Sequence, residues 1–320
     1  MNNIHVADDG YAVWTIPVNG GNNDAPIDVH INQWVMREKN NIRVYVDFGI
    51  RVYSAKNVSE ICFYLPCDIE MQDIRDLSLL LKDANIARGV FNTNCSIRNN
   101  DINGIVELKY NTHDSNIFEL PKNIKKLNNG TIITFDVLTI SKKLTKDELY
   151  IRFRIPNKKE EEFLAEKSNA LDSFARILSS PILHEKYLYT IRVNEMRSLP
   201  EQIRFNTLVQ NQKILKIILT VCANGPFTVD PSTCYKTRVI EKELYKDYVP
   251  KSFDLDRCMV NQWMQEKASF NHYNFTCIFC KEEVNKRSLL LYAFFVICLS
   301  ALGGALVELV KILLNNFFSI

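Results

Sequence analysis

"ELYIRFRIP" (148–156) decides how this chain is read. Leu149, Ile151, Phe153 and Ile155 alternate with Arg152 and Arg154. Successive side chains of a strand point to opposite faces, so this is the pattern of a strand with one face in a core. The arginines then fall on the other, solvated face. The same composition recurs outward from this stretch. "YAVWTIPV" (11–18), "NIRVYVDFGIRVYSA" (41–55), "SEICFYLP" (59–66), "ARGVFNTNCSI" (87–97), "GIVELKY" (104–110) and "TIITFDVLTI" (131–140) are short and rich in β-branched and aromatic residues. Turn-forming "NGGNND" (19–24), "RNND" (98–101) and "LNNG" (127–130) lie between them. Strands at such spacing predict a mainly β fold, a large antiparallel sandwich-like region over 1–156.

Two helices interrupt this expectation. "EMQDIRDLSLLLKD" predicts one near Met71–Asp83, with Asp73 and Asp76 near its start complementing the helix dipole. "NKKEEEFLAEKSNALDSFARILSSP" (157–181) carries Phe163, Leu164, Leu171, Phe174, Ile177 and Leu178 on one stripe and stops at Pro181. Strands then resume over 182–250, in "KYLYTIRVNEM" (186–196), "KILKIILTVC" (213–222) and "KTRVIEKELY" (236–245), and are expected to pack on the same sandwich. "DLDRCMVNQWMQEKASF" (254–270) reads as helical, so 251–287 becomes a helical neck.

Beyond the neck, nineteen residues from Leu289 to Val307 carry no charge. A helix of about 20 residues crosses the roughly 30 Å hydrocarbon core of a bilayer. The segment is apolar all round, so 288–308 is expected to span a membrane once, with 309–320 as an interfacial tail. Lys281, Lys286 and Arg287 precede the span, against Lys311 after it. The positive-inside rule therefore places the β region in the cytoplasm. The opening "MNNIHVADDGYAVW" has no apolar stretch of a signal peptide, which agrees. Nine cysteines in a cytoplasmic chain read as reduced thiols.

The span has features beyond those of an anchor. Ser300, Ala301, Gly303, Gly304 and Ala305 form a patch of small residues, which lets helices approach closely in lipid and predicts self-association. Glu308 and Lys311 form a polar pair at the far end. The alternative is an ordinary anchor, with Lys311 snorkelling to the interface.

Candidate sites in the β region are sparse. Arginines recur on the strands, and Arg152, Arg154 and Arg192 are candidates for binding an anionic ligand such as a nucleotide, since guanidinium groups pair phosphates two-pronged. The bland alternative is a solvated face with acidic neighbours. Net charge is +2, from 39 basic and 37 acidic residues, so nucleic acid is not an expected partner. Cys277-Ile-Phe-Cys280, with Cys258 and His272, could hold zinc, but a structural site needs four ligands and no second paired motif occurs. Two small thiols packed in the neck is the default. No H-E-x-x-H, G-x-S-x-G, P-loop or G-x-G-x-x-G occurs, so no enzyme class and no cofactor is indicated.

The layout, a soluble β domain on one short span, resembles that of bacterial antiviral membrane effectors. The likeness is one of layout and rests on no shared motif. It implies a sensing domain that clusters the chain through its span and perturbs the membrane. A passive membrane-bound scaffold and a membrane-bound enzyme with an unrecognised site are the alternatives.

Overall fold

A computed structural model describes residues 10–18, 25–38, 41–100, 105–110, 114–156, 182–223, 227–229, 236–251, 253–256, 258–284 and 286–318. Among the described residues the protein is mostly β, with three sheets and an apolar C-terminal helix.

The first sheet is small and antiparallel: β1 (Ala12–Pro17), β4 (Val58–Leu65), β10 (Gly130–Asp136) and β9 (Lys122–Leu127), in that spatial order. The second is long. Its order is β15 (Lys236–Val239), β16 (Met259–Phe270), β13 (Ile214–Ala223), β2 (Ile27–Glu38), β3 (Asn41–Val52), β11 (Leu149–Pro156), β8 (Asp114–Ile117), β7 (Ile105–Tyr110) and β6 (Cys95–Asn100), with β5 (Arg75–Asp76) beside β11. β13 runs parallel to β2 and β11 parallel to β8; the other pairs are antiparallel. Of the strands within 182–250, β13 and β15 thus enter the same sheet as strands of 1–156, while the others lie in a separate sheet.

Alternation places the core. Ile27, Val29, Ile31, Phe48, Ile50, Ile151, Phe153 and Leu219 project from one face of the long sheet onto Val13, Ile61, Phe63, Ile133 and Phe135 of the small one. Phe48, Phe63, Phe135 and Phe153 meet at its centre, ring centroids 4.5 Å apart for Phe48–Phe63 and 5.1 Å for Phe135–Phe153. Asn194 locks the third sheet to the first. Its side chain accepts from Val13 N at 2.7 Å and donates to Val13 O at 2.9 Å. That third sheet is β12 (Ile182–Val193), β17 (Tyr273–Val284) and β14 (Phe227–Val229).

Three expectations are corrected. The helix expected at 71–83 is two short 3₁₀ turns flanking β5; Asp76 sits on that strand, where its pairing with Phe153 of β11 displaces a helix. Asp73 serves in a capping box with Glu70. The strand expected at 87–97 is instead the end of α1 (Ala84–Phe91) followed by β6. Asp83 starts α1 by accepting from Asn85 N and Ile86 N, a cap signal stronger than the β-branched content downstream. The helical neck of 251–287 is two long strands, β16 and β17. Its Met, Gln, Glu, Lys and Ala favour helix, but β13 would be left with an unpaired edge, and β16 fills it along nearly its whole length. The amphipathic stretch 157–181 lies outside the described residues.

α2 (Lys242–Tyr245) packs across α1, where Gly89 admits the Tyr245 ring and accepts from its hydroxyl. The two cover the second face of the long sheet. α3 (Lys286–Phe318) is one unbroken helix. The boundary expected at residue 308 is absent, because the apolar run continues through Leu314.

Candidate functional site

The second face of the long sheet is where the arginines of "ELYIRFRIP" point. They are not solvated, as their strand pattern alone suggests: Arg152 is 1% and Arg154 3% exposed. The cap of α1, α2 and residues 248–251 and 253–255 closes over them with a second apolar cluster that includes Trp34, Leu77, Tyr245, Tyr248 and Phe253.

Asp47 lies at the centre, fully buried. It accepts from Arg154 Nε at 2.5 Å and Nη2 at 3.0 Å, from Trp34 Nε1 at 2.8 Å and from Tyr248 Oη at 2.7 Å. Arg152 reaches it at 3.9 Å, donates to Tyr248 Oη, and donates from Nη1 to Tyr150 Oη at 2.7 Å. Both guanidiniums lie over the Tyr248 ring, at 5.6 and 5.2 Å. Burial pushes the Asp47 carboxyl up, but the Arg154 charge and hydrogen bonds, Arg152 and the Tyr248 hydroxyl outweigh it and hold the group below its usual range. Gly49 faces Arg152 across the strand pair. A methyl there would come within 2.0 Å of Tyr150 Oη and 2.9 Å of Arg152 Nη1, so glycine is what lets these chains cross.

Strand register extends this face into three rows. The first runs Gln262, Thr220, Asn32, Asp47, Arg154 across β16, β13, β2, β3 and β11. The second runs Met264, Ile218, His30, Gly49, Arg152, and the third Glu266, Lys216, Asp28, Arg51, Tyr150. In the third, Lys216 pairs with Glu266 at 3.0 Å and Arg51 lies 3.7 Å from Asp28. Tyr53 donates to Asp28 Oδ2 at 2.7 Å, while the buried Oδ1 has no hydrogen-bond partner among the described residues. Burial raises the Asp28 carboxyl above its usual value. His30, in contact with Tyr150 and Phe91, is held neutral well below 6.5, by burial first and then by the Arg51, Arg152 and Lys216 charges.

The predicted ligand set is therefore split. Arg152 and Arg154 share one ionic cluster, already engaged by protein groups. Arg192 sits on β12 in another sheet, 3.5 Å from Glu195. What sequence reasoning missed is the uncharged end of the face, at Asn32, Thr220 and Gln262; the alternation of "DVHINQWVM" (28–36) carries that signal.

Of the zinc candidates, Cys258 is buried beside Cys222 and His272 is exposed at the turn before β17. Cys277 and Cys280 lie on β17, where three-residue spacing is not the close spacing that a turn or helix provides; their side chains fall outside the described ones. Among the described residues no group of three metal-ligating side chains converges. An open groove of about 670 Å³ between Met71, Phe118, Leu120 and Ile140, rimmed by Lys122 and Lys143, has no buried unpaired polar group in its wall.

α3 is the other functional element. Leu289–Leu314 is 26 residues with mean hydropathy 2.4 and no part buried against the protein. It is long and apolar enough to span a membrane. At 1.5 Å per residue it measures about 39 Å, so burying all of it in a core of roughly 30 Å requires a tilt near 40°. Ser300, Ala301, Gly303, Gly304 and Ala305 are exposed, and a methyl added to either glycine meets nothing within 4 Å. Lys311 Nζ donates to Glu308 Oε1 at 2.8 Å, one helical turn away. The chain matches no protein-family model, and no curated protein matches it in sequence.

Proposed function

We propose that this is a single-span membrane protein whose cytoplasmic β region is a sensing or binding domain and whose α3 acts on the bilayer when that domain is engaged. The observation that carries the reading is α3 itself: a largely apolar stretch of 26 residues, none of it buried against the protein. In water such a surface would aggregate, whereas lipid covers it at no cost. The small-residue patch offers a face for clustering of copies, and clustering in the plane of the membrane is the proposed route to perturbing it. The layout resembles that of bacterial antiviral membrane effectors, and defence is the role this implies. A passive anchored scaffold is the competing reading, supported by the Glu308–Lys311 pair, which neutralises itself within one helix.

Expression in bacteria with a membrane-potential dye tests this. The full chain is compared with a truncation ending at Lys286 and with a Gly303→Leu/Gly304→Leu variant. Depolarisation by the full chain, lost in both others, is expected. An intact potential even after forced clustering, with the protein in the membrane fraction, leaves the scaffold.

A further inference from the structure

The charges on the long sheet's second face do not balance. Lys216 is matched by Glu266, and Arg51 by Asp28. Under the cap, two guanidiniums face one carboxylate. Arg154 grips Asp47 two-pronged, and Arg152 stands 3.9 Å from it. The neighbouring groups supply no second negative charge. Burial pushes the Tyr150 and Tyr248 hydroxyls above their usual value, so they stay protonated, and His30 is neutral. One positive charge is thus left over among the described groups, in a region closed by Trp34, Tyr245, Tyr248 and Phe253. A buried charge without a counter-charge is strongly disfavoured.

Two N–H groups mark where the counter-charge belongs. Arg154 uses Nε and Nη2 on Asp47, and Arg152 uses Nε on Tyr248 and Nη1 on Tyr150. Arg154 Nη1 and Arg152 Nη2 are buried and make no hydrogen bond among the described residues. Buried donors are nearly always paired, because an unmade bond there is costly. The two side chains leave the same face of β11 about 7 Å apart, two residues along the strand, and both lie against the Tyr248 ring. One ion with contacts of about 3 Å on either side covers that span. The missing partner is therefore an acceptor that carries one negative charge. Both nitrogens are sealed from solvent beneath the cap, which suits an ion of a few atoms rather than a nucleotide.

We propose that Arg152 and Arg154 hold one small monovalent anion, a halide or a carboxylate of formate size, beneath the cap. The site belongs to the β region and stands whether or not α3 perturbs the membrane.

Thermal unfolding of the full chain in non-ionic detergent tests it, with sodium chloride or sodium formate replacing sodium gluconate at constant ionic strength. An anion that binds only the folded chain raises the unfolding midpoint with the logarithm of its concentration. That rise is expected for at least one of the two probes. Chloride alone identifies a halide site, formate alone a carboxylate site, and both an acceptor of either shape. Arg152→Gln and Arg154→Gln each remove the surplus charge, so each should need at least about tenfold more anion for the same rise. Chloride line width and formate saturation transfer in NMR read binding to the folded wild-type chain directly, so the test holds even where a variant fails to fold. Equal midpoints in all three salts, with neither probe bound, mean that the two nitrogens meet water only and overturn the proposal. So does an anion effect that both variants leave at full size.

Discussion

Replacing Asp47 by Asn should unfold a large part of this protein's margin of stability. The side chain keeps its size, so no cavity opens. What it loses is the negative charge facing two buried guanidiniums, at 2.5 Å from Arg154 and 3.9 Å from Arg152. With both cations nearly inaccessible to water, solvent cannot compensate. Removing one partner of a buried pair costs about 3–5 kcal/mol, and the second arginine places this case toward the upper end. Whole domains are stable by only about 5–15 kcal/mol. The assay is urea unfolding of the full chain in detergent, followed by tryptophan fluorescence, since Trp34 donates directly to Asp47. A cycle with Arg154→Met should show a coupling of about 2 kcal/mol. A loss under about 1 kcal/mol would mean that the cluster behaves as a solvated surface bridge and would refute the argument.

Acid should destabilise the fold in two stages. His30 and Asp47 both titrate below their ordinary values in the folded state, so the unfolded chain binds more protons, and stability falls as pH falls. His30 contributes from about pH 6.5 downward and Asp47 below about pH 4, each until pH passes its folded value; Asp28, raised by burial, gains stability over its own interval above 3.8. Urea midpoints measured against pH should flatten between about pH 7 and pH 5 in His30→Gln. Asp28→Asn should be neutral or stabilising at neutral pH in the same assay, in contrast to Asp47→Asn. Gly49→Ala should cost about 1–3 kcal/mol in thermal or urea unfolding, because its methyl overlaps the Tyr150 hydroxyl. Leu302→Arg, at the middle of α3, should disfavour membrane insertion by about 2.5–3.5 kcal/mol, read as the inserted fraction in microsomes.

Period-two alternation made the strands around 41–55, 59–65 and 149–156 legible, because one face of each meets a single apolar core. It also separated Arg152 and Arg154 from the apolar set. It could not tell that their face is buried too, since the cover comes from Tyr245, Tyr248 and Phe253, about a hundred residues later. Pairing with a strand some forty residues earlier likewise hid the strand character of 259–270, whose helix-forming residues are overridden by the open edge of β13. The apolar helix α3 was legible because its length and composition lie in one continuous segment. The uncharged row of Asn32, Thr220 and Gln262 was not, because it is assembled by register between strands nearly 200 residues apart in the chain.

Only Asn285 separates Val284, the last residue of β17, from Lys286, the first of α3. β17 is paired with β12 in unbroken register, from Tyr273 opposite Val193 to Val284 opposite Ile182. A pull on the helix along the strand direction would therefore load that ladder in shear, with its hydrogen bonds sharing the force rather than opening one at a time. A load on α3 thus reaches the globule through a strand paired with β12 along its whole length, and a force spectrometer gripping α3 should record a shear rupture there.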